Sequence, residues 1–170
     1  IEKYNIVQIS TGDMLRDSVS KGSDLGKQVK SVMDKGELVS DKLIMSLISE
    51  RIDNEDCSNG FILDGFPRTI AQAIALDELL KNKNILIDHV IQIDVNENLL
   101  LDRIKKRASD NQSIRDDDNS KILENRILVY NEQTMPVLRH YDDLNMLKKV
   151  NGMLSVEAVS EEILNILENH

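Results

Sequence analysis

Little in this chain of 170 residues suits cross-linking, membrane insertion or base stacking. A single cysteine, Cys57, excludes an internal disulfide and a zinc site built from clustered thiolates. Aromatic residues make up 3% of the chain and tryptophan is absent, so a stacking platform for single-stranded nucleic acid is not expected. No apolar run approaches the roughly 20 residues of a membrane span. Two prolines, Pro67 and Pro136, and seven glycines leave no linker to divide the chain. Positive charge is also short: 21 Lys and Arg face 30 Asp and Glu, a net charge of −9. That balance removes the basic field needed for non-specific binding to duplex nucleic acid or an anionic membrane. What is left reads as one soluble, acidic globular domain of a reducing compartment, large enough to bury a core. An anionic ligand would have to be met by a few placed cations.

Three short apolar runs, Ile6–Ile9, Phe61–Leu63 and Val90–Ile93, are rich in β-branched residues and read as buried strands; Leu147–Val150 is a fourth. Helical patterns lie between them. Thr11 or Asp13 caps a helix through Val19, and Ser23 caps one through Lys35 that Gly36 ends. Ser40 starts Lys42–Ile52, with Leu43, Ile44, Leu47 and Ile48 on one face. Further helices are predicted over Thr69–Leu80, Asn96–Arg107 and Asp117–Tyr141. Ser155 caps Val156–Leu167, where Val156, Val159, Ile163 and Leu167 form one stripe. The polar stretch Ala108–Ser120 is a solvated loop or a lid. The order of elements predicts an α/β fold with a mainly parallel sheet. Ligands of such sheets bind at the carboxyl ends of the strands, so the residues there matter most.

After the first strand comes Ser10-Thr11-Gly12-Asp13-Met14-Leu15-Arg16. It reads as a capped helix start, and it also sets a hydroxyl and an arginine at a helix N-terminus, which favours anions. After the second strand comes Asp64-Gly65-Phe66-Pro67-Arg68-Thr69-Ile70-Ala71-Gln72. Asp64 at the strand end can hold a magnesium-bound water, Gly65 permits close backbone approach, and Pro67 stiffens the turn. Arg68 then projects at the sheet edge. Gln72 lies one helical turn on, and a glutamine can pair with an adenine edge. A turn accounts for Gly65 and Pro67 but not for the charged pair flanking them. Arg103 and Arg107 share a helix face near a C-terminus, which is favourable there on its own. Arg115 and Arg126 stand beyond the polar stretch. Together Arg16, Arg68, Arg103, Arg107, Arg115 and Arg126 are six of the eight arginines, each at an element end or beside the lid. Phosphoryl transfer needs such a set, because its charge spreads over several oxygens. His89, His140 and His170 form no catalytic arrangement. Cys57 reads as inert, and Met14, Met33 and Met45 as packing.

The two long stretches, with Asp102-Arg103, Arg107, Arg115-Asp116-Asp117 and Arg126 in support, resemble the adenylate kinases over essentially the whole chain. The resemblance implies a P-loop NTPase-like parallel sheet flanked by helices. Its core would be residues 1–10, 53–107 and 120–170, its AMP-binding helical region 11–52 and its lid 108–119. It also implies the reversible reaction of MgATP with AMP to give two ADP, in the service of adenine nucleotide balance. AMP would be held by Thr11, Arg16, Gly65, Phe66, Pro67, Arg68 and Gln72, with Glu37, Leu38 and Val39 as a mobile flap. Arg115 and Arg126 would close from the lid, and Arg103 and Arg107 would act on the ATP side. Arg68, Arg103, Arg115 and Arg126 would be the catalytic cations. Asp13 and Asp64 would organise water around magnesium, and the backbone of Leu154 would meet the ATP adenine. The lid is short and has no cysteine, so no zinc is expected. ATP, AMP and ADP are the implied partners of a cytoplasmic monomer, with no nucleic acid or membrane partner.

The chain departs from the family pattern at its front, where Ile1 precedes a segment resembling the end of the helix that follows the family's Gly-rich phosphate loop. The strand, the loop and most of that helix are expected to be missing from the given sequence. The 170 residues alone are therefore expected to be inactive and unstable. A UMP/CMP-type kinase is an alternative, but such relatives carry Ala in place of Thr11 and Asn at or near Gln72. A non-catalytic AMP-binding module is another; the lid-side arginines argue against it.

Overall fold

The apolar runs become strands close to where their β-branched residues predict them. The structure, a computed structural model, describes residues 1–22, 24–96 and 120–168. β1 spans Val7–Ser10, β2 Phe61–Asp64, β3 Val90–Asp94 and β4 Leu147–Asn151. β1 pairs with β2 in parallel, from Val7↔Phe61 to Ser10↔Asp64. β3 pairs with β4 in parallel, from Val90↔Leu147 to Asp94↔Asn151. The fold is thus α/β with parallel strands, although among the described residues no strand pairs β2 with β3, and the sheet is two ladders rather than one. Nor are the strands buried on both faces. Ile9 is 2% exposed and Phe61 and Leu63 pack against the same core, while Ile62 is 43% and Ile93 51% exposed.

α1 (Thr11–Ser20) follows β1 with no loop between them, so the last strand residue becomes the cap. The Ser10 hydroxyl accepts the Asp13 N–H at 3.3 Å. This corrects the expectation that Thr11 or Asp13 caps the helix, and it frees the Thr11 side chain for another task. α2 (Asp24–Met33) ends as Gly36 requires. Gly36 has φ +71°, its N–H reaches the Met33 carbonyl at 2.9 Å, and the Glu37 N–H reaches that of Val32 at 3.2 Å. Asn84 and Asn145 make the same left-handed stop after the helices that precede them. Ser23, the expected cap of α2, lies outside the described residues.

α3 (Asp41–Ile52) and α4 (Ile70–Asn82) are capped as expected, by Ser40 and Thr69. The helix predicted over Asp117–Tyr141 is described from Ser120 onward and is not uniform. α5 (Ser120–Val129) passes through a π-helical turn, Tyr130–Thr134, into α6 (Met135–Asp143). Pro136 then stands in the first turn of α6, where its missing N–H leaves no helical bond unmade. In α7 (Val156–Glu168) the Ser155 hydroxyl accepts the Ala158 N–H at 3.3 Å, but Val156 is 81% exposed and leaves the stripe. The helix predicted up to Arg107 and the lid 108–119 lie outside the described residues.

α4 joins the two ladders. Its Leu76 and Leu80 belong to the core that holds Ile9, Ile44, Ile48 and Phe66. Its Ala73 belongs to a second cluster, with Val137 and Tyr141 of α6, against which Val90 and Leu147 pack. Asp77 adds a polar tie, accepting the Tyr141 hydroxyl at 3.3 Å beside His140 Nε2 at 3.1 Å. Among the described residues no helix is long and apolar enough to cross a membrane.

Candidate functional site

β1 and β2 end side by side, with Ser10 opposite Asp64. One strand runs straight into α1 and the other into the turn before α4. Their carboxyl ends open into a cavity of about 360 Å³. One wall is Ser10–Asp13, Leu15 and Arg16; another is Asp64, Gly65, Phe66, Arg68 and Gln72. The α2–α3 connection adds Glu37, Leu38 and Val39, and α5 adds Arg126. Of these, Thr11, Asp13, Arg16, Glu37, Leu38, Val39, Asp64, Gly65, Phe66, Arg68, Gln72 and Arg126 were expected as site residues, and they line a single cavity; Ser10, Gly12 and Leu15 join them.

Thr11 is 4% exposed, and its hydroxyl donates to the carbonyls of Gly65 (3.2 Å) and Asp64 (3.4 Å). It therefore fastens the start of α1 to the end of β2. Arg16 pairs with Asp13 one turn back in α1. Gly65 has φ +69°, a conformation open to glycine at little cost, and its carbonyl accepts the Arg68 Nε–H at 2.7 Å. Arg68 stays accessible to the cavity yet has protein on most sides. Desolvation lowers its pKa from the ordinary guanidinium value and the Arg16 charge acts in the same direction, while Asp64 opposes them. Two cations thus face one polar concavity, and an anion between them would relieve their repulsion.

Gln72 is 3% exposed and both ends of its amide are engaged. Oε1 accepts the Arg68 N–H at 2.8 Å, and Nε2 donates to Asp41 Oδ1 at 2.7 Å. Asp41 was invisible as a site residue in the sequence, because Ser40-Asp41 reads as an ordinary helix start. Gln8 was also missed. It lines the cavity and donates through Nε2 to Asp64 Oδ2 at 2.7 Å. A polar residue inside an apolar run was the available signal. Arg126 enters from α5, whose Asn125 Nδ2 donates to the Lys35 carbonyl at 2.6 Å and so ties that helix to the chain just ahead of the flap.

Other expected residues are not at this cavity. Pro67 follows Phe66 through a cis bond but does not line the wall. Leu154, 40% exposed, lies beyond β4 at the other ladder. Arg103, Arg107 and Arg115 lie outside the described residues. Asp13 and Asp64 are both at the cavity, the first beside Arg16 and the second beside Gln8. Among the described residues no group of three His, Cys, Asp or Glu is placed to ligate a metal directly. Cys57 is buried, and desolvation raises its pKa, a setting that disfavours the reactive thiolate.

Residues 1–146 match the family model described as "Adenylate kinase". Relatives of the same name cover almost the whole chain. One, from Sinorhizobium medicae (strain WSM419), is 45% identical over 170 residues, which is 98% of this chain and 88% of the relative. Another, from Rhizobium meliloti (strain 1021), is 44% identical over the same shares of both chains. A third, from Mesorhizobium japonicum, is 46% identical over 171 residues, 98% of this chain and 86% of the relative.

Proposed function

This chain belongs to the adenylate kinase family of nucleoside monophosphate kinases, and on that premise we propose that the cavity at the ends of β1 and β2 holds AMP. The reaction is reversible phosphoryl transfer between MgATP and AMP, giving two ADP and keeping adenine nucleotides in balance. The observation that carries the assignment of the cavity is that Arg16, Arg68 and Arg126 all line it. The guanidiniums of Arg16 and Arg68 grip the AMP phosphate, with Arg126 closing from α5. Gly65 and Thr11 let the backbone and a small side chain approach the nucleoside, and Gln72 faces the base. Glu37, Leu38 and Val39 fold over the ligand as a flap and exclude water, so that the phosphoryl group passes to AMP and not to solvent.

Arg103, Arg107 and Arg115 complete the cationic set on the ATP and lid side, and the Leu154 backbone meets the ATP adenine. Asp13 and Asp64 fit the water shell of magnesium that arrives with ATP, where the ion supplies charge neutralisation at the phosphate oxygens. Family membership also supports a monomer working in the cytoplasm. The proposal is tested by calorimetric titration of AMP and UMP into the protein and its Arg68→Ala variant. AMP should bind more tightly than UMP, and the variant should lose AMP.

A further inference from the structure

A glutamine amide reads a base only if its oxygen and its NH2 face the right way, and the two ends differ little in shape. Here both ends of Gln72 are tied, to the Arg68 N–H and to Asp41 Oδ1. A backbone N–H can only donate and a carboxylate can only accept, so the amide has one orientation. A second lone pair on Oε1 and a second hydrogen on Nε2 remain for a ligand. Adenine supplies their complement, a 6-amino donor beside the N1 acceptor. Hypoxanthine presents the reverse, a 6-oxo acceptor beside an N1–H donor.

Asp41 does not line the cavity; it stands behind the wall, in the first turn of α3, where exposed N–H groups favour a carboxylate. The same Oδ1 also lies 3.4 Å from the Thr69 hydroxyl that caps α4. It therefore fixes the end of Gln72 that the Arg68 backbone does not reach. We infer that Asp41 is a positioning residue for base recognition, locking the Gln72 amide in the orientation that accepts adenine and rejects hypoxanthine. This rests on the reading that Gln72 faces the base of the bound monophosphate.

The test is titration of AMP and IMP, followed by NMR, into the wild-type chain and the Asp41→Ala, Asp41→Asn, Gln72→Ala and doubly substituted Asp41→Ala/Gln72→Ala variants. The readout is the ratio of the two affinities, because loss of pocket structure weakens both ligands alike. Asp41→Ala should lower the AMP preference about tenfold, the scale of one charge-assisted hydrogen bond. Asp41→Asn keeps an acceptor oxygen and the helix start, and should lower it only about threefold. Added to Gln72→Ala, Asp41→Ala should change the ratio no further. The inference is overturned if Gln72→Ala lowers the ratio while both Asp41 variants leave it at the wild-type value, or if the double variant shows the two effects adding. An unchanged ratio in Gln72→Ala would instead remove the base reading on which the inference stands.

Discussion

Replacing Gly65 by alanine separates a backbone cost from a binding cost. Gly65 has φ +69°, and an L side chain there loses about 1–2 kcal/mol to steric strain. Its new Cβ would also lie 2.8 Å from a terminal nitrogen of Arg68. Gly22 supplies the control. It has nearly the same φ, +67°, but a Cβ there would meet nothing within 4 Å. Gly22→Ala and Gly65→Ala should therefore lose similar stability, about 1–2 kcal/mol each, in urea unfolding followed by circular dichroism. Moving the far end of a flexible arginine adds little to that. In binding the displacement matters, because it draws the guanidinium off the Gly65 carbonyl, 2.7 Å from Nε, and away from the anion. A charge-assisted hydrogen bond contributes about 1.5–3 kcal/mol, so Gly65→Ala should bind AMP roughly ten- to a hundredfold more weakly. Gly22→Ala should bind as wild type in the same calorimetric titration. If both variants bind AMP alike, the contact between Gly65 and Arg68 does not set the arginine for its ligand.

Tyr141→Phe should cost about 1 kcal/mol at neutral pH, because it removes the hydroxyl that donates to Asp77. Burial first, then the Asp77 charge and hydrogen bond, raise the Tyr141 pKa well above its ordinary value of 10.0. The unfolded chain then loses that proton first, so the stabilisation is whole below pH about 10 and is lost as the pH climbs beyond it. Urea midpoints across that range should show the gap between wild type and Tyr141→Phe closing in alkali; a constant gap would contradict the assignment. Cys57, 6% exposed with its pKa raised, should resist thiol reagents in the folded protein. Its labelling should follow the unfolded fraction as urea rises, and rapid labelling without urea would show the site to be open.

The legible parts of the site were those written in contiguous residues. Ser10–Arg16 and Asp64–Gln72 each carry their turn, cap and cations within one stretch, and both stretches line one cavity. Gly36 was readable for the same reason, because a glycine after a helical pattern has few other uses. Partnerships across the chain were not readable. Asp41 and Gln72 are 31 positions apart, and the contact exists only because α3 packs on α4. The Ser10 cap was misplaced because the strand enters the helix without a loop. Val156 fits the helical period, yet it is 81% exposed. The stops at Asn84 and Asn145 depend on a tolerance for positive φ that polar loop residues do not advertise.

The central claim, that the ends of β1 and β2 form an AMP site held by paired arginines, is tested most directly by titrating AMP and UMP into the protein and into Arg68→Ala. AMP should bind at one site at least about tenfold more tightly than UMP, and Arg68→Ala should weaken AMP by about tenfold or more. Equal binding of UMP, or undiminished binding of AMP by Arg68→Ala, would contradict it.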